Sequence, residues 1–344
     1  MPEREKTAVR PLSERIFGGD KVLWVILAAL AVVSLLVVYS STASMAYRKA
    51  GGDTAHYFMN QLKFIGLGFV VIYLVHRINY QVYARFARLG FLVALGAMAL
   101  TFVVGVNLND ASRWIRIPGV GLTFQPSDFL KVTLVMVLAQ QLAQRQTVIQ
   151  KIPILPQFSI SGWTKNGRRN RDILFDTTIP LLLPVVLACG AIFFSNFSTS
   201  AITFFTCWVM LYIGRVRVRE LWRLVGIVVV VIALALAFMS AAGIGRAETW
   251  MNRLKDYAGI GTEQVDEKSD DNLQVEQAKI AIASGGIFGK GPGNSTQRAN
   301  LPHSYSDFAY AFIVEEYGVV GAVVVLVLYL WIFFRGIEIF RRCG

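Results

Sequence analysis

The chain has 344 residues, 55% hydrophobic and only 16% charged, with a formal net charge of +12 and a mean hydropathy of +0.51. Soluble domains carry about 25% charged residues, so this composition excludes an ordinary water-soluble globule and points to a membrane protein. Cys189, Cys207 and Cys343 lie in or beside apolar runs without CxxC spacing, and His56, His76 and His303 are far apart. Neither set forms a redox or metal motif, and the cysteines read as small buried hydrophobes.

A helix needs about 20 apolar residues to cross the hydrocarbon. Eight segments are candidate spans: 22–42, 57–76, 87–108, 126–144, 178–195, 199–214, 222–243 and 307–334. The first follows a basic tail (Arg4, Lys6, Arg10, Arg15, Lys21) and is too long for a typical secretory signal core, so it reads as an uncleaved anchor. With the N-terminus cytoplasmic, the inner segments hold the arginine clusters, among them Arg168, Arg169, Arg171, Arg215, Arg217 and Arg219. The longest outer segment, 244–306, holds seven basic and eight acidic residues. The expected fold is an all-α polytopic membrane protein. Its parts are a cytoplasmic tail 1–21, a seven-helix membrane region 22–243, an extracytoplasmic loop 244–306, and an eighth helix with a cytoplasmic end, 307–344. The positive charge then reflects topology, which argues against a nucleic-acid partner. The basic inner rim can attract anionic lipid.

The outer segment "NDASRWIRIPGVGLTFQPSDFLK", 109–131, leads into the fourth span. Arg113, Trp114 and Arg116 precede a Pro/Gly turn region, and Pro126 suits the first turn of the helix. Ser127 and Asp128 in that turn favour the positive end of the helix dipole. Asp128 and Lys131 are three apart and share a face, with Lys131 about 7 Å below the start of the span. A charged pair at that depth faces protein or a wet cavity. It could serve function or act as an ion pair joining two helices.

In the long loop, "RAETWMNRL" puts Arg246, Trp250 and Arg253 on one helical face, suited to the membrane surface. The acidic "EQVDEKSDD" follows, and then "NLQVEQAKIAIAS" reads as a helix capped at Gly285-Gly286. The run "GGIFGKGPGNSTQR", 285–298, resembles a nucleotide loop at first sight. It fails the P-loop spacing, because Ser284 precedes and Gly291 follows where glycine and Ser/Thr are needed, and it contains no GxGxxG. The last span opens "LPHSYSDFAYAFIVEEYG". Asp307 sits at its mouth, with Glu315 and Glu316 about 12 Å deeper at helical rise. Adjacent helical residues point about 100° apart, so the two glutamates cannot share one partner face-on. Intramembrane carboxylates suggest function, with a buried structural role as the alternative.

Together "RWI…FQPSDFLK", "AIASGGIFGKGPGNSTQR", "LPHSYSDF" and "EEYG" resemble the SEDS family (shape, elongation, division and sporulation) of bacterial envelope proteins. "GPGNSTQ" is more similar to the division-type members, FtsW, than to the elongation type, RodA. The resemblance implies a peptidoglycan glycosyltransferase of the bacterial inner membrane, at the division septum. It would polymerise lipid II outside the cytoplasm with undecaprenyl pyrophosphate as leaving group. Its implied partners are a class B penicillin-binding protein transpeptidase and other division membrane proteins, and a divalent cation (Mg or Mn) could assist. Arg113, Trp114, Gln125, Pro126, Ser127 and Lys131 match the family's RW and QPSE-xx-K pattern, with Asp128 in place of Glu. Gly285, Gly286, Gly289, Gly291, Gly293, Asn294 and Gln297 match its glycine motif. Leu301, Pro302, Asp307 and Phe308 match LPExHTDF, with His303 and Tyr305 as departures. Glu315 and Glu316 match its EE pair.

The family's essential aspartate precedes a glutamine matched here by Gln274. Ungapped counting gives Glu267, but the stretch lacks the family's proline and glycines. A contracted loop favours Asp271 or Asp270, with Asp266 and Glu267 as outsiders. In "SNFSTSA", Asn196 stands where the family often has aspartate, which argues against essential charge there. The family usually has ten spans, so two C-terminal helices would be missing or this member is short. Lys290 and Arg298 are candidate ligands for a pyrophosphate or phosphate of the lipid substrate, and Arg246 and Arg253 are candidates for binding the substrate. For the glycine run the alternative is a turn that shapes the cavity without touching phosphate. A lipid II transporter and a non-enzymatic division scaffold remain the competing functions.

Overall fold

In a computed structural model, each of the eight apolar segments contains a helix, and the third, expected to run to 108, leaves the helix at Val104 and ends in a strand at Val106–Leu108. The structure describes residues 18–49, 54–104, 106–108, 111–116, 123–151, 154–155, 173–241, 270–297 and 308–343. The chain divides into two compact units, 1–77 with 261–344, and 78–260.

The first unit holds α1 (Lys21–Lys49) and α2 (Thr54–Arg77). In the same unit the second unit's elements are followed by α8 (Asp270–Gly285) and α9 (Ala309–Cys343). Val37 of α1 packs with Ile313 and Val325 of α9, flanked by Val33, Ala309 and Tyr317. Trp24 stacks on Phe69 of α2 and meets His76 edge-on. Inside the apolar helices, Gln61 Nε2 donates to Ser34 Oγ at 3.0 Å, a polar tie between α1 and α2. The outer face of α2 exposes Phe64, Leu67, Val70, Val71 and Leu74. Such a surface suits lipid tails, which are as apolar as the side chains.

In the second unit, α3 (Tyr80–Val104), α4 (Pro126–Lys151), α5 (Ile179–Ser195), α6 (Phe197–Ile213) and α7 (Val218–Ala241) follow in order. A π-helical turn, Leu174–Thr178, leads into α5. The buried faces repeat at helical spacing: Ala87, Phe91, Ala94 and Met98; Leu130, Leu134 and Leu138; Leu181, Val185, Ala188 and Ile192. Asn196 separates α5 from α6 and caps the latter, its Oδ1 accepting from Thr199 N at 3.2 Å.

One feature was not legible as helix or turn. β1 (Val106–Leu108), β2 (Ala111–Arg116) and β3 (Thr123–Phe124) form a short antiparallel sheet in the order β1-β2-β3. Trp114 pairs with Val106, and Ile115 with Phe124. The architecture remains helical, with this ribbon just before α4. Five helical segments among the described residues are long and apolar enough to cross a membrane, while α6 is shorter. The protein is a multi-pass membrane protein.

Candidate functional site

The site begins with a break in α9. Gly318 has φ 69° and ψ −169°, a conformation outside the helix that only glycine adopts readily. An unbroken helix would pair Glu315 O with Val319 N and Glu316 O with Val320 N. Here the glycine run takes both partners. Lys290 N donates to Glu315 O and Gly291 N to Glu316 O, each at 2.9 Å. Val319 N and Val320 N donate to Gly286 O and Ile287 O at 3.0 and 3.3 Å. Two helical bonds are thus replaced by four bonds between α9 and the loop.

The glycines make that exchange sterically feasible. A Cβ on Gly289 would lie 2.2 Å from Glu316 O, and one on Gly318 would lie 2.2 Å from Ile287 O. Gly285, at the end of α8, meets Val314 O in the same way, at 2.1 Å. The glycine run therefore brings its backbone against α9. That close approach fastens the end of α8 to the membrane helix.

Both carboxylates of the EE pair are buried, and they take different partners. Glu315 Oε1 accepts from Lys290 Nζ at 2.7 Å, from Thr296 Oγ1 at 2.9 Å and from Thr296 N at 3.0 Å. Its Oε2 accepts from Ser295 Oγ. Glu316 Oε1 accepts from Gly293 N at 3.1 Å and from Ser40 Oγ of α1. Gly293 N also reaches Ser40 Oγ at 3.1 Å. Asn294 closes the turn from inside, its Nδ2 donating to Lys290 O at 3.1 Å. Lys290, expected as a phosphate ligand, is thus committed to Glu315. An anion would have to compete with that carboxylate.

The other expected residues fall elsewhere. In the second unit, Gln125 Nε2 donates to Ser127 Oγ at 2.8 Å at the start of α4. Asp128 and Lys131 form a 2.7 Å ion pair with side chains 60% and 36% exposed, so the pair is an exposed one. Trp114 is half-buried on β2. Arg113 lies on the same strand, though its side chain is outside the described residues. Asp270 and Asp271 are the first residues of α8, again without described side chains, and Gln274 is half-buried one turn on. Gln297 ends the described loop. Arg246, Arg253, Asp266, Glu267, Arg298 and Asp307 lie outside the described residues. Ser40, Ser295 and Thr296 were not among the expected site residues. The signal for Ser40 was faint, a hydroxyl at the end of an apolar run.

A divalent cation does not fit Glu315, both of whose oxygens are engaged. The oxygens described above accept from an ammonium, hydroxyls and backbone N–H groups, where a cation would need lone pairs. Among the described residues no group of three or more His, Cys, Asp or Glu could hold a metal ion.

Comparison with known proteins places this arrangement. A family model described as "Cell cycle protein", covering FtsW, RodA and SpoVE, matches residues 20–344. The probable peptidoglycan glycosyltransferase FtsW of Enterococcus hirae is 30% identical over 341 residues, covering 95% of this chain and 77% of that protein. The corresponding Coxiella burnetii protein is 27% identical, covering 93% and 77%. Stage V sporulation protein E of Bacillus subtilis is 25% identical, covering 93% and 78%. The fold is similar to a chain of a solved peptidoglycan synthase complex, with a TM-score of 0.55 at 21% identity over 93% of this chain and 77% of that one. It is also similar to the rod shape determining protein RodA of Thermus thermophilus, with a TM-score of 0.53 at 19% identity over 93% and 75%. With the match spanning the chain from the first membrane helix onward, the protein belongs to the FtsW/RodA/SpoVE family of cell cycle proteins.

Proposed function

We infer that this protein is a division-type peptidoglycan glycosyltransferase, polymerising lipid II into glycan strands at the outer face of the bacterial inner membrane. The observation that carries the reading is the mounting of α8. Its acidic first turn, Asp270-Asp271, stands at one end of a 16-residue helix whose other end is fastened backbone to backbone on α9. A carboxylate on a supported helix is better placed for chemistry than one on a free loop. Relatives named as peptidoglycan glycosyltransferases, which align along nearly the whole chain, support the same reading.

In this reading, a sugar hydroxyl of one lipid-linked disaccharide attacks the anomeric carbon of another. Asp271, or its neighbour Asp270, takes the hydroxyl proton as the new C–O bond forms. The bond to undecaprenyl pyrophosphate breaks, and its electron pair leaves on the phosphate oxygen. Arg113, Arg246, Arg253 and Arg298 are assigned to the pyrophosphate, where bidentate guanidinium contacts suit its oxygens. Trp114, Gln125, Ser127, Asp128, Lys131, Gln274, Asn294, Gln297 and Asp307 remain candidates for binding sugar and lipid phosphate. Glu315, Glu316 and Lys290 act by holding the loop. No step is routed through a metal ion.

The basic inner segments put the N-terminus in the cytoplasm. A class B penicillin-binding protein at the septum is the proposed partner, crosslinking the strands made here. The test is glycan-strand synthesis from purified lipid II by the full chain with that partner. Polymer supports the reading. Movement of lipid II across vesicles without polymer would favour a transporter, and partner recruitment with neither activity a scaffold.

A further inference from the structure

We propose that Ser40, in the first membrane helix and outside every motif described above, is a positioning residue for the glycine loop, acting through Glu316. The inference deepens the polymerase reading and rests on it only for its activity arm.

Ser40 is 7% exposed and lies near the C-terminal part of α1. A serine in an apolar helix commonly turns its hydroxyl back to the carbonyl four residues earlier. This one donates to Glu316 Oε1, 276 positions away in sequence. The same oxygen pair then receives Gly293 N, at 3.1 Å from Ser40 Oγ and 3.1 Å from Glu316 Oε1. One amide of the loop is therefore gripped by α1 and α9 together. The seam beneath the grip is built for this register. Val33, Val37 and Ser40 follow at i, i+4 and i+7 along one face of α1, and Val37 packs on Ile313 and Val325 of α9.

The gripped residue matters because of its backbone. Gly293 has φ +83°, is exposed in the turn after Pro292, and a Cβ there would meet nothing within 4 Å. Elsewhere the loop is tied to α9 through Lys290, Gly291, Ser295 and Thr296. Ser40 is the point at which the first helix sets the loop's position. A hydroxyl donating to a carboxylate in a dry site makes a charge-assisted bond, stronger than a neutral one. Removing it leaves Gly293 N bound to Glu316, so the fold survives while that amide loses one of its two acceptors.

The experiment uses the full chain with its partner, as Ser40→Ala and Ser40→Thr. It reads hydrogen exchange of peptides covering 286–297, thermal stability, and kcat and KM for glycan synthesis from lipid II. For Ser40→Ala we expect about tenfold faster exchange confined to the loop, an effect of the size of one hydrogen bond to a charged group. The Tm should stay within a few degrees. The kcat should fall by about the same factor with KM unchanged, and Ser40→Thr, which keeps the hydroxyl, should restore both. Gly66→Ala on α2, where an added methyl meets nothing within 4 Å, is the control and should leave exchange and kcat alone. Unchanged loop exchange in Ser40→Ala, or failure of threonine to rescue it, overturns the proposal. If wild type makes no polymer yet the exchange pattern holds, the positioning role stands and the polymerase reading is what fails.

Discussion

Lys290 Nζ lies 2.7 Å from Glu315 Oε1, joining a lysine of the glycine run to a fully buried carboxylate of α9. The two partners are not equivalent. Lys290 keeps a quarter of its side chain exposed, and Glu315 keeps none. Losing the cation strands a buried anion, whereas losing the anion leaves a cation that can turn to water.

Lys290→Met should therefore destabilise the protein by about 2 kcal/mol, below the full cost of breaking a buried pair because Lys290 is partly solvated. Glu315→Gln should cost less. The double variant Lys290→Met/Glu315→Gln should be more stable than Lys290→Met alone, a coupling that thermal unfolding of the four proteins would measure. The same set separates two roles. If Lys290 acts through Glu315, the double variant regains lipid II turnover lost in Lys290→Met. If Lys290 binds phosphate, turnover stays low.

The loop-for-helix exchange predicts a hierarchy among the glycines. Gly289→Ala and Gly318→Ala each place a methyl 2.2 Å from a backbone oxygen at positive φ, so loop and helix must separate. Both should cost well over the ~1 kcal/mol typical of a point change. Gly286 has φ +59° but open space around its would-be Cβ, so Gly286→Ala should cost only about 1–2 kcal/mol of left-handed strain. Limited proteolysis of the loop would rank them. Equal sensitivity of all three would contradict the close approach.

How far the sequence carried these conclusions depends on distance along the chain. The helices were legible because an apolar run of membrane length has few other solutions, and among the described residues five of them are long and apolar enough to cross a membrane. The end of α8 was legible because Gly285-Gly286 is a local stop signal, and Gly286 does take a positive φ just after the helix. The EE pair's separate partners followed from helical geometry alone. The break at Gly318 was not legible, since a lone glycine in an apolar helix is ordinary and its cause lies in the loop that replaces its bonds. Nor was Ser40, which shares no local pattern with Gly293. The ribbon at 106–124 was hidden by strands of two to six residues, too short to show alternation.

Asn196 gives a simpler test of charge against geometry. Its side chain caps α6, a role in which asparagine and aspartate are equivalent. Asn196→Asp should leave stability and turnover near wild type, and Asn196→Ala should lose about 1 kcal/mol. Abolished turnover with unchanged stability in Asn196→Ala would mean that the residue does more than cap.

At the start of α1, Asp20 accepts from Arg335 Nε of α9 at 2.6 Å and from Val22 N at 2.9 Å. Burial pushes the Asp20 carboxyl up, but the bonds from Arg335 and the backbone N–H groups of Val22 and Leu23 outweigh it and hold it below its ordinary 3.8. A depressed carboxylate contributes stability that is present above the ordinary value and is lost as pH falls through the folded one. Asp20→Asn should thus lower Tm between pH 5 and 7, and the gap to wild type should close as pH drops below about 3.8. A gap independent of pH would contradict the pairing.

In the proposed mechanism a carboxylate in the first turn of α8 is the base of a glycosyl transfer. The direct measurement is glycan-strand synthesis from purified lipid II, with the partner transpeptidase present, by wild type and by single alanine variants at Asp266, Glu267, Asp270 and Asp271. The account predicts polymer from wild type and its loss in Asp271→Ala or Asp270→Ala, with the partner still bound and the chain folded. Polymer from all four variants at the wild-type rate would contradict it and move the base to Asp128 or Asp307.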